Sequence, residues 1–234
     1  MVEEGADIID IGGESTRPGS EPVPLEEEIA RTIPVIEAIS KKIKVPVSID
    51  TYKAEVAKRA LDAGAAIVND ISGLRFDPEM PKVVSQYKVP VVIMHIKGTP
   101  KNMQASPQYE ALIPEIMDYL RVSIMLAMKS GIAEDKIIID PGIGFGKTFE
   151  HNLEIIKNLH EFTLLEKPLL VGVSRKAFIG KILGDAPAAE RLEGTAAAVA
   201  ISILNGANII RVHDVKKMKK VALVADACLH FPRL

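Results

Sequence analysis

The sequence predicts an α/β barrel of the TIM type, a (β/α)8 arrangement, and three observations carry that expectation. Short runs of Ile, Val and Leu recur along the chain, each stopping at a glycine or a small polar cluster and each followed by a helix-like stretch. The runs are nearly continuous in apolar residues rather than alternating, as in parallel strands that helices cover on both faces. The polar stops are scattered along the chain, and a βα barrel delivers the C-terminal ends of all its strands to one mouth. An open seven-stranded α/β sheet shares the same local signals and is the alternative.

In chain order, the expected strands run Asp7 to Gly12, Val45 to Asp50, Ile67 to Asn69, Val89 to His95, Lys136 to Asp140, Leu169 to Ser174 and Ile209 to His213. Between them lie amphipathic segments such as Leu25 to Lys41, Lys53 to Ala63, Tyr109 to Ser130, Phe149 to Phe162, Ala188 to Asn205 and Val215 to Leu229. Gly64, Gly131 and Gly206 stand where a helix should stop before the next strand. Seven strands are visible where a closed barrel has eight. Val2 to Asp7 reads as the last turn of a helix with Gly5 as its stop. The expectation is therefore one barrel domain over residues 1–234, with the first strand and most of the first helix upstream of Met1; without them the outer strands would be bare edges.

Composition narrows the function classes. With 234 residues and 47% hydrophobic content the chain has apolar material for one large core. Its 31 acidic and 29 basic residues nearly cancel without long blocks of either sign, which argues against nucleic acid or an anionic membrane as partner. A small molecule is the expected ligand. The lone cysteine, Cys228, excludes an intramolecular disulfide and fits a reducing cytoplasm. The apolar runs are too short to span a bilayer, and no basic-then-apolar leader pattern opens the chain.

The glycine-rich stretch from Asp140 to Thr148 superficially suggests a nucleotide loop. The P-loop pattern, however, needs glycine where Pro141 stands, and Gly142, Gly144 and Gly146 lack the spacing of the dinucleotide fingerprint. What survives is a strand-end carboxylate followed by a flexible turn that presents Phe145. Asp50 and Asp140 close apolar strands, where an unpaired carboxylate is costly to bury. A ligand with several N–H donors would satisfy them, and Asn69 adds an amide that both donates and accepts. For either carboxylate alone, capping a helix or pairing with a lysine remains open. Arg211 and His213 share a direction if both lie on a strand, and Lys176 closes the neighbouring one. Such cations suit a phosphate or a planar ring. The Glu14 to Ser20 loop, with Thr16, Arg17 and Pro18, is long enough to act as a lid over the same mouth.

These motifs, taken together and in order, resemble the dihydropteroate synthase family. They are Gly12-Gly13-Glu14-Ser15-Thr16-Arg17-Pro18-Gly19, Ser48-Ile49-Asp50-Thr51, Asn69-Asp70, Asp140 to Lys147, Ser174-Arg175-Lys176 and Arg211-Val212-His213-Asp214. The resemblance implies a pterin-binding barrel that joins 6-hydroxymethyl-7,8-dihydropterin diphosphate to p-aminobenzoate, releasing pyrophosphate in folate biosynthesis. It implies that Asp50, Asn69, Asp140 and Lys176 hold the pterin, with Met94 in its wall and Arg211 stacked on its face. Arg211 and His213 would bind the diphosphate. Thr16, Arg17 and Pro18 would close over the reaction, with Phe145, Pro18 and the Lys176 stem flanking the aminobenzoate ring. Asp50, Lys176, Arg211 and His213 are the implied catalytic set. The resemblance also implies Mg²⁺ and a homodimer built through outer helices, where Thr195-Ala196-Ala197-Ala198 could bring backbones close.

Two departures stand out. The family's metal-coordinating Asn loop after the first strand has no counterpart here, so no metal ligand is identifiable in this chain. Ala177 follows Lys176 where many members carry a Ser that assists the aminobenzoate carboxylate. Two alternatives stay open: a corrinoid-linked methyltetrahydrofolate methyltransferase domain, and a non-catalytic pterin-binding paralogue.

Overall fold

The computed structural model describes residues 1–231. Five parallel strands follow one another in sequence order: β1 (Ile9–Gly12), β2 (Val47–Asp50), β3 (Ile67–Asp70), β4 (Val91–Met94) and β5 (Ile137–Asp140). A parallel bridge from Ile139 to Leu169 carries the ladder on to β6 (Leu170–Val171), which pairs with β7 (Ile209–Ile210). The helices alternate with them: α1 (Leu25–Ser40), α2 (Ala54–Asp62), α3 (Met80–Tyr87), α4 (Leu112–Lys129), α5 (Phe149–Lys157), α6 (Leu159–Phe162), α7 (Ala177–Ile182), α8 (Leu192–Leu204) and α9 (Val215–His230).

The sheet curls, and a side-chain contact proves it. Arg211, one residue past β7, donates from Nε to Asp10 of β1 at 2.6 Å. In a flat seven-stranded sheet, six spacings of about 4.8 Å would hold those strands roughly 29 Å apart. Lys219 of α9 likewise reaches back to Asp7 at 2.6 Å. The alternative of an open sheet is therefore excluded, and the strands wind as a βα barrel with helices outside.

The apolar strand runs are buried as the parallel pattern requires: every residue of β3 and β4 is buried. Ile36, Ile49, Met80, Ile93, Ile116, Leu120, Ile139 and Phe162 are among the largest fully buried side chains, and they join sheet to helices. Gly64, Gly131 and Gly206 end their helices with φ of +111°, +88° and +105°, a region that side chains disfavour.

Several elements differ from the sequence pattern. The segment from Phe149 to Phe162 is two helices, because the Asn158 side chain donates to the Glu154 carbonyl and competes with the backbone ladder. β6 and β7 are shorter than expected. After Val171 the chain turns at Arg175, with φ +56°, and Lys176 N–H bonds back to Val173. α3 and α7 are eight and six residues long, too short for apolar periodicity to mark. Among the described residues, no helix is long and apolar enough to cross a membrane.

Candidate active site

Register places the first group. Gly12 of β1 pairs with Asp50 of β2, and Asp50 with Asn69 of β3, so the carboxylate and the amide stand side by side at the strand ends. Gly12 is small for a reason: a Cβ there would sit 3.3 Å from that of Asp50. Asp10, two residues earlier on the same face of β1, completes the group. Its Oδ2 accepts from Arg211 Nε at 2.6 Å and from Asn69 Nδ2 at 3.3 Å, while Asp50 Oδ2 accepts from Arg211 Nη2 at 2.8 Å. Oδ1 of Asp10 is buried and has no hydrogen-bond partner among the described residues. An acceptor left this way asks for a donor from a ligand.

Burial pushes the Asp50 carboxyl up to about 7, the Asp10 charge adds to this, and Arg211 opposes it. Burial works against the Arg211 charge too, but Asp50 and Asp10 outweigh it and hold the guanidinium ionised. The Arg211 side chain is still half exposed, so these pairs are partly screened and the guanidinium can reach a ligand.

The second group lies on β4, β5 and the turn after it. Met94 and Asp140 are register partners. Asp140 accepts from Gly142 N–H at 2.7 Å; burial raises its pKa, against Gly142, Lys176, Lys147 and Arg211. Gly142, Gly144 and Gly146 take φ of +70°, +82° and +63°, so the turn folds back tightly. Lys176 donates to the Ile143 carbonyl and lies 4.5 Å from the Phe145 ring centroid. Burial lowers Lys176 to about 8. Met94 packs with Ile71, Ile96 and Met103 in a small apolar cluster, against which Tyr52 and Phe145 lean. The mouth thus has carboxylates and an amide on one side, an apolar wall, and lysine and arginine cations near the rim.

The third group is at the rim. His213 Nδ1 lies 2.8 Å from Ser174 Oγ. Burial, then the charges of Arg175 and Arg211, lower its pKa, and Arg17 contributes to the same shift, which puts that guanidinium within its field. Arg175 itself is turned away into a bidentate pair with Asp214. Arg17 and Pro18 are exposed and Thr16 half-buried; no side-chain hydrogen bond ties Thr16 to the carboxylates among the described residues. The loop instead rests on the turn after β4, through Gly19 N–H to Pro100 O at 3.0 Å and the Lys101–Glu21 ion pair at 3.0 Å.

Glu14 belongs beneath this loop rather than over the mouth. Lys53 Nζ donates to Glu14, to Glu28 and to the Val23 carbonyl, while Tyr52 OH donates to Glu14 and Thr51 Oγ1 to Glu28. One ammonium therefore ties both ends of the 15–22 loop to α1 and to the start of α2. Lys53→Met leaves two carboxylates, 6% and 1% exposed, without their cation. We expect a loss of about 3 kcal/mol in folding stability by urea unfolding.

Strand-end reasoning located Asp50, Asn69, Met94, Asp140, Phe145, Lys176, Arg211 and His213, and the barrel gathers them at one mouth. It passed over Asp10, which lies inside its strand rather than at the end, and gave no role to Lys147, which stands in the failed nucleotide motif and at the end of the Asp140 to Lys147 family motif. The spacing Asp10-x-Gly12 was the available signal, since alternate strand residues share a face.

A barrel mouth lined in this way, with buried acceptors and flanking cations, defines an enzyme for a nitrogen-rich ring that carries an anion. A family model described as "Pterin binding enzyme" matches residues 1–213. The dihydropteroate synthase of Synechocystis sp. is 51% identical over 227 residues, covering 97% of this chain and 78% of that protein. A crystal structure of the Yersinia pestis dihydropteroate synthase with a sulfonamide drug superposes with a TM-score of 0.94 at 41% identity, covering 97% of this chain and 82% of that one. The Xanthomonas albilineans dihydropteroate synthase with 4-aminobenzoic acid gives 0.93 at 40% identity, covering 99% and 82%. The chain belongs to the pterin-binding enzyme family, in its dihydropteroate synthase branch.

Proposed function

We propose that this chain joins 6-hydroxymethyl-7,8-dihydropterin diphosphate to p-aminobenzoate, releasing pyrophosphate and forming 7,8-dihydropteroate, as one barrel domain over residues 1–234. The observation that carries this reading is the convergence of Asp10, Asp50, Asn69, Asp140 and Arg211 on one mouth. Asp50, Asn69 and Asp140 supply acceptors and a donor for the edge of the pterin, and the free Asp10 oxygen offers one more acceptor. Met94 walls the ring, and Lys176 holds it from the rim.

The bond from the exocyclic methylene to the diphosphate oxygen breaks, and positive charge spreads from that carbon into the ring. An ionised Asp50 stabilises that charge. Arg211, with His213 and Arg17, receives the departing pyrophosphate. The amine of p-aminobenzoate is already a nucleophile, so its nitrogen attacks the methylene and its proton passes to solvent. Positioning therefore contributes more than proton removal, and Phe145, Pro18 and the Lys176 stem flank the aminobenzoate ring. Thr16, Arg17 and Pro18 close over the site when the loop releases the bond from Gly19 N–H to the Pro100 carbonyl.

Mg²⁺ is the ion expected alongside diphosphate oxygens. Among the described residues no group of three or more His, Cys, Asp or Glu side chains could hold a metal, and Arg211 occupies both Asp10 and Asp50. These side chains do not by themselves fit a resident Mg²⁺.

The homodimer is expected through outer helices, and exposed apolar residues on α8 and α9 support that reading. Thr195 and Ala198 are buried while Ala197 is exposed, and Ile201, Leu204, Leu223 and Val224 give α8 and α9 exposed apolar surface. Such a surface suits a second copy. A cytoplasmic setting is supported by the unpaired Cys228.

The deciding measurement is pyrophosphate release from the pterin diphosphate, with and without p-aminobenzoate and Mg²⁺. Release that depends on p-aminobenzoate supports the synthase. Methyl transfer from methyltetrahydrofolate to a corrinoid protein would replace it with the methyltransferase reading, and pterin binding without any turnover with the paralogue reading.

A further inference from the structure

Lys147, on the turn after β5, is 2% exposed. Burying an ammonium is expensive, and an apolar side chain would fill the same space at lower cost. Its surroundings account for the charge. Nζ lies 2.9 Å from His95 Nδ1 and donates to the Phe145 carbonyl at 2.9 Å. His95 is itself 3% exposed and packs edge-on against Tyr119 at 4.7 Å. Burial, then the charges of Lys147 and Lys97, push the His95 imidazole down to about 2. The ring is neutral, and its Nδ1 accepts from the lysine.

The same ammonium meets the turn at a second point. A Cβ at Gly142 would lie 1.9 Å from the His95 carbonyl oxygen and 3.3 Å from Lys147 Nζ, so the turn is pressed against His95 with the lysine beside it. Three glycines with positive φ give this turn little stiffness of its own. Side chains tether it: Asn152 Oδ1 accepts from Gly144 N–H at 2.7 Å, Tyr109 OH donates to the Gly146 carbonyl at 2.7 Å, and Lys147 adds a buried basic group at the end of the turn itself.

We infer that Lys147 is a positioning residue: clamped between His95 and the Phe145 carbonyl, its buried ammonium fixes the Gly142–Gly146 turn and sets positive charge behind Asp140. This rests on the reading that Asp140 receives the pterin and Phe145 flanks the aminobenzoate. Asp140 is faced by Gly142 N–H and by Lys176, Lys147 and Arg211, all of which favour its ionised form. Burial pushes the Lys147 ammonium well below its usual range; Asp140 opposes that shift, and Lys176 and Lys97 add to it. Removing Lys147 raises the Asp140 pKa, so the acid limb of pterin binding moves to higher pH.

The test is Lys147→Met against the parent chain, with pterin and p-aminobenzoate binding measured by calorimetry from roughly pH 5 to 9, alongside pyrophosphate release. Pterin binding is expected to weaken about tenfold near neutral pH, with the acid limb displaced upward by about one unit. The KM for p-aminobenzoate rises as well. Unchanged affinities, or a uniform weakening with the acid limb unmoved, overturn the inference, since a purely structural lysine would not move the limb. If Lys147→Met does not fold, Lys147→Met with His95→Leu removes both polar partners together. A persistent pterin defect in that pair supports the role, and full affinity overturns it. Asp140→Asn separates the two ideas. Parent-like pterin binding by that variant removes the reading of Asp140 and this role with it. A weakened Asp140→Asn beside an unaffected Lys147→Met removes only the role of Lys147.

Discussion

Asp50→Asn is expected to lower kcat by roughly a hundredfold or more while leaving the fold intact, the loss typical of a preorganised electrostatic group. The fold survives because Arg211 keeps its bond to Asp10 at 2.6 Å when the pair with Asp50 is gone. The amide retains the shape of the side chain and its acceptor oxygen, so the pterin still binds, and the missing charge is felt where the methylene turns positive. The acid limb of kcat/KM in the parent should fall near 7, where burial and Asp10 have placed the Asp50 carboxyl, and in the variant that limb should be lost, leaving the one set by Asp140.

The same shift makes a statement about stability. An Asp ordinarily near 3.8 that rises to about 7 in the native state holds a proton which the unfolded chain has already released. Its contribution to stability is fully present below the ordinary value and is lost as pH rises through the native one. Asp50→Asn removes that loss, so its melting temperature should gain on the parent more at pH about 8 than at about 5. A variant with unchanged kcat would refute the assignment of Asp50, and an equal gain at both pH values would refute the account of its burial.

Arg211→Ala is expected to weaken the diphosphate-bearing pterin about a hundredfold and the free pterin less than about tenfold. The guanidinium is half exposed and already holds two carboxylates, which leaves it one flank for the anion and keeps the free-pterin effect small. Its removal also takes away the charge that opposes the rise of Asp50, so the acid limb of the surviving activity shifts upward. Calorimetry with both ligands and a pH profile check these outcomes. Equal losses for the two ligands would leave Arg211 only a stacking role.

Much of the mouth was legible because a parallel strand announces itself. Val91 to Met94 is apolar up to His95 and Ile137 to Ile139 up to Asp140, and that change of character marks the end of the strand. The glycine stops at 64, 131 and 206 were readable for a similar reason, since the left-handed conformation excludes most other residues. Asp10 was not legible, because it interrupts an apolar run rather than ending it. Glu14 was assigned to the lid because it stands in a loop motif, and only its bonds to Lys53 and Tyr52 place it beneath. In the Thr195 to Ala198 run only Ala197 is exposed, and composition does not say which way a helix face turns.

The sequence by itself determined the order of the strands, the polar residues that follow them and the family to which they belong. These follow from local rules: a strand buried on both faces must be apolar, and a helix stop needs a residue that tolerates positive φ. Which charges meet was decided only by the tertiary structure. Arg211 and Asp10 are separated by 201 positions and touch because the sheet curls. Lys147 is buried against His95, 52 positions away, because the turn after β5 packs onto the end of β4. Charge pairing across such separations depends on strand curvature and side-chain reach, and neither leaves a periodic trace in the chain.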